Sequence, residues 1–194
     1  NPKIKGAAAG ALKNLALNAN NQVAIGDETH AIRNLVALLI ETDPRVKEQA
    51  AGALKNLAAN ANNKVAIGNE AHAIKNLVAL LRDTSPRVKE LAAGALANLA
   101  NNNANKVAIA QAGAIPPLVA LLSNPNPTRV KEQAAGALLN LANNNANKES
   151  IGREPNAITN LVALLSNPNP TRVKKQAAGA LWNLAYNNAD NKVS

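Results

Sequence analysis

Apolar residues along this chain fall at helical spacing, in blocks separated by short polar runs rich in asparagine. In one long block Val46, Ala50, Ala53, Leu54 and Leu57 make the stripe of a helix with one buried face. A medium block has the same period over fewer residues: AIRNLVALL at 31–39, AIKNLVALL at 73–81, AIPPLVALL at 114–122 and AITNLVALL at 157–165. A short block reads NKVAIG at 63–68 and NKVAIAQAG at 105–113. The pattern predicts three helices per period: long, short, medium. Long helices should begin near Pro2, Pro44, Pro86, Thr128 and Thr171. Asp43-Pro44 and Ser85-Pro86 pair a capping side chain with Pro at the first helical position. In the Asn-Pro-Asn-Pro-Thr runs at 124–128 and 167–171 the Thr is the expected cap. Asn60, Asn62 and Asn63 are expected to end the long helix, since Asn favours turns. Pro116 and Pro117 fit the first turn of their helix.

The long block carries a repeat. It reads AAGALKNLA at 8–16 and 50–58, AAGALANLA at 92–100, AAGALLNLA at 134–142 and AAGALWNLA at 177–185. The copies set a ladder of Asn14, Asn56, Asn98, Asn140 and Asn183, at steps of 42, 42, 42 and 43 residues. A fixed period of this size signals a solenoid, in which each unit buries its apolar face only against its neighbours. One elongated domain over 1–194 is expected, in units of approximately 1–42, 43–84, 85–126, 127–169 and a partial 170–194, with a stub at 190–194. Neither end shows a polar capping repeat, so adhesive end faces are expected.

Composition narrows the chemistry. Hydrophobic residues are 47% of the chain, with one Trp, one Tyr and no Phe, so the core must come from close helix approach. The absence of Cys removes disulfides, thiolate chemistry and Cys-based zinc sites. No signal-peptide pattern opens the chain, and no run approaches the roughly 20 apolar residues of a membrane span. A net charge of +9 favours acidic partners, or is a solubilising surface. Phe, Met and Cys are absent and the chain begins without Met, which fits an engineered, consensus-like protein or an excised fragment.

The unit GAIPPLVALLSNPNPTRVKEQAAGALLNLANNNANKESI at 113–151 closely resembles an armadillo repeat. It has the Gly-Ala-Ile-Pro start, Leu-Val-x-Leu-Leu, then Ala-Ala-x-Ala-Leu-x-Asn-Leu-Ala and Asn-Lys; the Asn-Leu-Ala signature and short helix speak against HEAT repeats. The resemblance implies an all-α fold: a right-handed α-α superhelix (armadillo solenoid) of about four and a half three-helix repeats, its long helices lining a concave groove. It also implies binding of an extended peptide or partner protein without catalysis, the ladder asparagines fastening the ligand main chain. A primary amide suits that task, being donor and acceptor together.

The chain departs from importin-α-like repeats, where a Trp stands four residues before the asparagine. Here that position is Gly10, Gly52, Gly94, Gly136 and Gly179, which argues against recognition of basic nuclear-localisation peptides. The glycines look more like β-catenin and plakophilin repeats. They serve close backbone packing or clearance for a ligand main chain.

Eleven residues before each asparagine stands a cation: Lys3, Arg45, Arg87, Arg129 and Arg172. Lys5, Lys47, Lys89, Lys131 and Lys174 follow two residues later, and Lys13 and Lys55 directly precede the first two asparagines. A basic groove rim is expected, with Glu48, Glu90 and Glu132 as neighbours for pairing. Trp182 and Tyr186 share a helical face, as a ligand anchor or as cover for the last repeat.

His30 and His72 align with Gly113 and Asn156 between the short and medium helices, so a left-handed turn explains them better than a metal pair. No nucleophile set, phosphate loop or carboxylate pair appears. Asp27, Glu28, Glu41 and Asp43 suit helix junctions. Nucleic acid is a weak candidate, since interleaved aromatics are missing. The expected function is a non-enzymatic scaffold, without metal, cofactor or membrane association, holding a neutral to acidic extended peptide. The alternative is an engineered or structural repeat scaffold with no evolved ligand, self-associating through its ends. A natural protein of this kind would be cytoplasmic or nuclear; an engineered one carries no such assignment.

Overall fold

The computed structural model describes residues 1–28, 30–123, 125–166 and 168–186; the expected stub at 190–194 lies outside them. Among the described residues there are thirteen α-helices and no strand. Five long helices recur: α1 (Pro2–Leu15), α4 (Pro44–Leu57), α7 (Pro86–Leu99), α10 (Thr128–Leu141) and α13 (Thr171–Ala185). Each of the first four leads into a short helix, α2 (Ala19–Asp27), α5 (Ala61–Asn69), α8 (Asn103–Gln111) or α11 (Asn145–Arg153). A medium helix closes each unit: α3 (Ala31–Leu38), α6 (Ala73–Leu80), α9 (Ile115–Leu121) or α12 (Ala157–Ala163).

Local chemistry sets the boundaries. Asn1, Asp43 and Ser85 cap α1, α4 and α7 with their side chains, each ahead of a proline in the first turn. At α10 and α13 the expected Thr caps are corrected. Pro127 and Pro170 hold the cap positions, with ψ of 152° and no side-chain bond, and Thr128 and Thr171 are the first helical residues. Proline's fixed φ, −61° at both positions, is compatible with this extended entry.

The asparagine runs also act differently from expectation. The long helix α4 already ends at Leu57, and Asn60 caps the next helix by accepting from Asn62 N and Asn63 N. Asn18, Asn102 and Asn144 cap α2, α8 and α11 in the same way. The turn before the medium helix takes φ of 66° at His72, 77° at Gly113 and 64° at Asn156. His30 departs from this series with φ −120°.

The core is continuous from repeat to repeat. Ala50, Ala51, Ala53, Leu54 and Leu57 of α4 are buried, as are Ala134, Ala135, Ala137, Leu138 and Leu141 of α10. Alanine on the packing face lets successive long helices approach closely. Each long helix meets the next far more extensively than the short or medium helices meet theirs. The stack is therefore tightest along the long-helix layer of this all-α superhelical repeat fold. No helix among the described residues is long and apolar enough to cross a membrane.

Candidate functional site

The long-helix layer presents one column of side chains per repeat. On α4 these are Arg45, Gln49, Gly52 and Asn56, spaced so that they share a helix face. The ladder asparagine stands at the column's C-terminal end, half-buried at Asn56, Asn98, Asn140 and Asn183.

Each of those four amides has the same partner in the preceding repeat. Asn56 Nδ2 donates to Lys13 O at 2.9 Å, Asn98 Nδ2 to Lys55 O at 2.9 Å, Asn140 Nδ2 to Ala97 O at 2.8 Å and Asn183 Nδ2 to Leu139 O at 3.0 Å. The bond fixes the amide plane and uses one of the two Nδ2 hydrogens. The second hydrogen and Oδ1 have no protein partner among the described residues. Asn14 is exposed, and its whole amide is without an intramolecular partner there.

A second asparagine ladder, which the sequence reading missed, lies along the short helices. Asn63 Nδ2 donates to Gln22 O at 2.7 Å, Asn105 Nδ2 to Lys64 O at 2.9 Å and Asn147 Nδ2 to Lys106 O at 3.2 Å. These residues are only 3–4% exposed. Their Oδ1 atoms are enclosed as well: a methyl placed on Gly26 would lie 1.8 Å from Asn63 Oδ1, and one on Gly68 1.9 Å from Asn105 Oδ1. At the third joint Ala110 replaces the glycine, the bond is the longest of the three, and Asn147 also donates to Leu141 O at 3.3 Å. The signal in the sequence is the Asn-x-x-x-x-Gly spacing at 21–26 and 63–68, where Asn63 is expected only as a turn residue.

The arginine row is partly compensated. Arg87 meets Glu90 at 2.7 Å and Glu48 at 3.9 Å, and Arg172 meets Glu132 at 3.6 Å. Arg45 and Arg129 are exposed and make no ion pair among the described residues. Two of the lysines two positions on reach along their own unit to the loop before the next long helix. Lys5 pairs with Glu41 at 2.6 Å, and Lys47 pairs with Asp83. Burial works to raise the Asp83 pKa, but hydrogen bonds from Lys47 and from Ser85 N–H, with the charges of Lys47 and Lys89, outweigh it and hold the carboxyl below its ordinary value. This part of the expected rim is a clasp between the start of a long helix and the loop that leads to the next one.

Trp182 and Tyr186 diverge in role. Trp182 is 72% exposed. Tyr186 has its ring 5.5 Å from Lys148 Nζ, which also donates to Tyr186 O at 3.0 Å. His30 and His72 gather no further ligands, and no cluster of three potential metal ligands occurs among the described residues.

Residues 10–194 match the family model described as the plant U-box protein ARM repeat region. An engineered protein of known crystal structure is similar at 33% identity and a TM-score of 0.88, over 95% of this chain and 76% of its own. A designed armadillo repeat protein is similar at 32% identity and a TM-score of 0.87, over 96% of this chain and 78% of its own. Another designed armadillo repeat protein, solved in complex with the peptide (KR)4, is similar at 31% identity and a TM-score of 0.84, over 95% of this chain and 77% of its own. No curated protein matches the chain.

Proposed function

The chain belongs to the armadillo repeat family, and from that premise we propose that it is a non-enzymatic module binding an extended peptide segment along its inner face. The ladder Asn14, Asn56, Asn98, Asn140 and Asn183 pairs with the ligand main chain. The observation that carries this reading is the common orientation of the amides. Each interior one is anchored through Nδ2 to the preceding repeat and keeps Oδ1 and one hydrogen for a ligand amide. A peptide backbone offers the complementary donor and acceptor at every residue.

The ligand is neutral to acidic. Arg45 and Arg129 stand exposed without a carboxylate partner among the described residues, while the nearby Glu48, Glu90 and Glu132 are the more buried members of their pairs or neighbourhoods. The designed relative solved with (KR)4 holds a basic peptide, so a basic peptide belongs among the ligands compared.

The test is a binding screen against acidic, neutral and basic extended peptides at two salt concentrations, followed by two variants. Asn14→Ala removes an amide with no intramolecular bond, so it should leave unfolding unchanged and weaken binding by roughly 3- to 10-fold, the worth of one hydrogen bond. Replacing Asn56, Asn98 and Asn140 together with Ala should abolish measurable binding while helicity persists. Unchanged affinity in both variants would overturn the ladder mechanism. The engineered and designed relatives favour a second reading, a scaffold with no evolved ligand, and a flat response across the screen would decide for it.

A further inference from the structure

Three of the residues that stand immediately before a ladder asparagine lean across to the groove glycine of the next repeat. A methyl group placed on Gly52 would lie 2.6 Å from Lys13 Cδ, and one on Gly94 would lie 2.9 Å from Lys55 Cε. One on Gly179 would lie 3.0 Å from Leu139 Cδ1. On Gly136 the matching residue is Ala97, too short to reach, and such a methyl would meet nothing closer than the Gln176 side chain at 3.6 Å. The glycines are thus the floor on which a variable side chain rests, and this chain varies it in order along the groove. The series runs Lys13, Lys55, Ala97, Leu139, Trp182.

The two lysines carry charge without an acidic partner. Lys13 Nζ donates to the uncharged Gln49 Oε1 at 2.5 Å, and the Lys55 ammonium has no hydrogen-bond or ion-pair partner among the described residues. At the other end Leu139 lies half-buried over Gly179, and Trp182 is 72% exposed. Between them Ala97 and Gly136 leave the floor low.

We propose that this floor is a polarity gradient that selects an extended segment with an acidic block at one end and an apolar, aromatic-tolerant block at the other. The acidic side chains sit over Lys13 and Lys55, the apolar ones over Leu139 and Trp182, and the low floor at Ala97 and Gly136 admits a bulky side chain between. Packed helices stand about 8–10 Å apart, so Lys55 and Leu139 are separated by about 20 Å, or about six extended residues. The gradient fixes which way the ligand lies, which the asparagine ladder alone does not, because a main chain offers amides in both directions. This inference rests on groove binding as proposed above.

The experiment compares three fluorescent peptides of about 12 residues, long enough to span the groove. All have the same composition, two Glu, one Leu and one Tyr on a Ser-Gly background. One has Glu at its N-terminal end and the apolar pair at its C-terminal end, one has the reverse order, and one interleaves them. Expected is that one blocked order binds about tenfold more tightly than the interleaved peptide, a difference of about 1.4 kcal/mol. The variant Lys13→Leu/Lys55→Leu/Leu139→Lys/Trp182→Lys should transfer the preference to the opposite order. The peptide comparison on the unaltered protein stands even where that variant folds poorly. Equal binding of all three peptides, still weakened by Asn14→Ala, overturns the gradient and leaves the ladder. Failure of every peptide to bind overturns both.

Discussion

Gly68→Ala should destabilise the protein, and the same change should stabilise it once Asn105 has become alanine. Gly68 lies in the last turn of the short helix Ala61–Asn69, where alanine is favoured over glycine by about 1 kcal/mol. Against this stands the buried amide, since the new methyl would meet Asn105 Oδ1 at 1.9 Å, Cγ at 2.7 Å and Nδ2 at 2.9 Å. Asn105 is 4% exposed and cannot swing into water. The third joint shows how the chain relieves such a conflict: beside Ala110, Asn147 holds the neighbouring carbonyl at 3.2 Å and shares its donor with Leu141 O at 3.3 Å. The clash therefore relaxes into a weakened hydrogen bond and displaced packing, together about 2–3 kcal/mol. Net destabilisation of Gly68→Ala should be about 1–2 kcal/mol, or a fall of roughly 2–8 °C in Tm for a chain of this size. Asn105→Ala alone leaves Lys64 O buried without this donor and should cost about 1–3 kcal/mol. In that background the methyl of Gly68→Ala enters vacated space, and the helix preference remains, a gain of up to about 1 kcal/mol. Urea unfolding of the four proteins followed by circular dichroism closes the cycle. Additive effects would refute the reasoning, because they would mean that Gly68 and Asn105 do not contend for the same space.

Asp83→Asn should lower stability by about 1.5–3 kcal/mol at pH 7, because Lys47 loses a charged partner. The folded carboxyl is depressed, so its contribution is present above the ordinary carboxylate range and lost as pH falls through the folded value. Urea midpoints of parent and variant should converge below about pH 4. Tyr186→Leu removes the ring beside Lys148 and should cost about 0.5–2 kcal/mol in thermal unfolding. Arg129→Ala, at an exposed residue without an ion pair among the described residues, should leave unfolding within about 0.5 kcal/mol of the parent. It should nevertheless weaken acidic-peptide binding and flatten its salt dependence, read by fluorescence polarisation.

Much of the fold was legible because it rests on signals local in sequence. The stripe Val46, Ala50, Ala53, Leu54 and Leu57 is buried throughout, and Pro44 and Pro86 open their helices where the Asp and Ser before them cap. Thr128 and Thr171 misled because a proline takes the cap position before each, leaving the threonines inside the helix. Asn63 misled for a deeper reason. Its amide is spent on Gln22 O, 41 residues away, and no property of the run Asn-Ala-Asn-Asn-Lys distinguishes a turn from such a bond. The partner shows only when one repeat is laid on the next. Lys47, expected on the rim, is likewise clasped to a residue distant in sequence, Asp83 at the far end of its own unit. Between repeats, period alone places the partner, and the period says nothing of which atoms meet.

The two asparagine ladders use one bond in two settings, and the setting decides what each is for. Asn63 and Asn98 both give Nδ2 to a carbonyl of the preceding repeat. Around Asn63 the backbone of Gly26 closes over Oδ1, which leaves no room for a ligand there, and the residue's role is cohesion. Asn98 remains half-buried and its Oδ1 meets no donor among the described residues. Cohesion there leaves a residue of chemistry that only water or a ligand can satisfy. Because the bond that orients each interior amide also joins two repeats, changing Asn56, Asn98 or Asn140 disturbs binding and stability together. Asn14 has no such bond, so it is the position where the two roles come apart. A loss of affinity at Asn14→Ala with an unchanged urea midpoint would assign the ladder to the ligand; an altered midpoint with unchanged affinity would assign it to the solenoid alone.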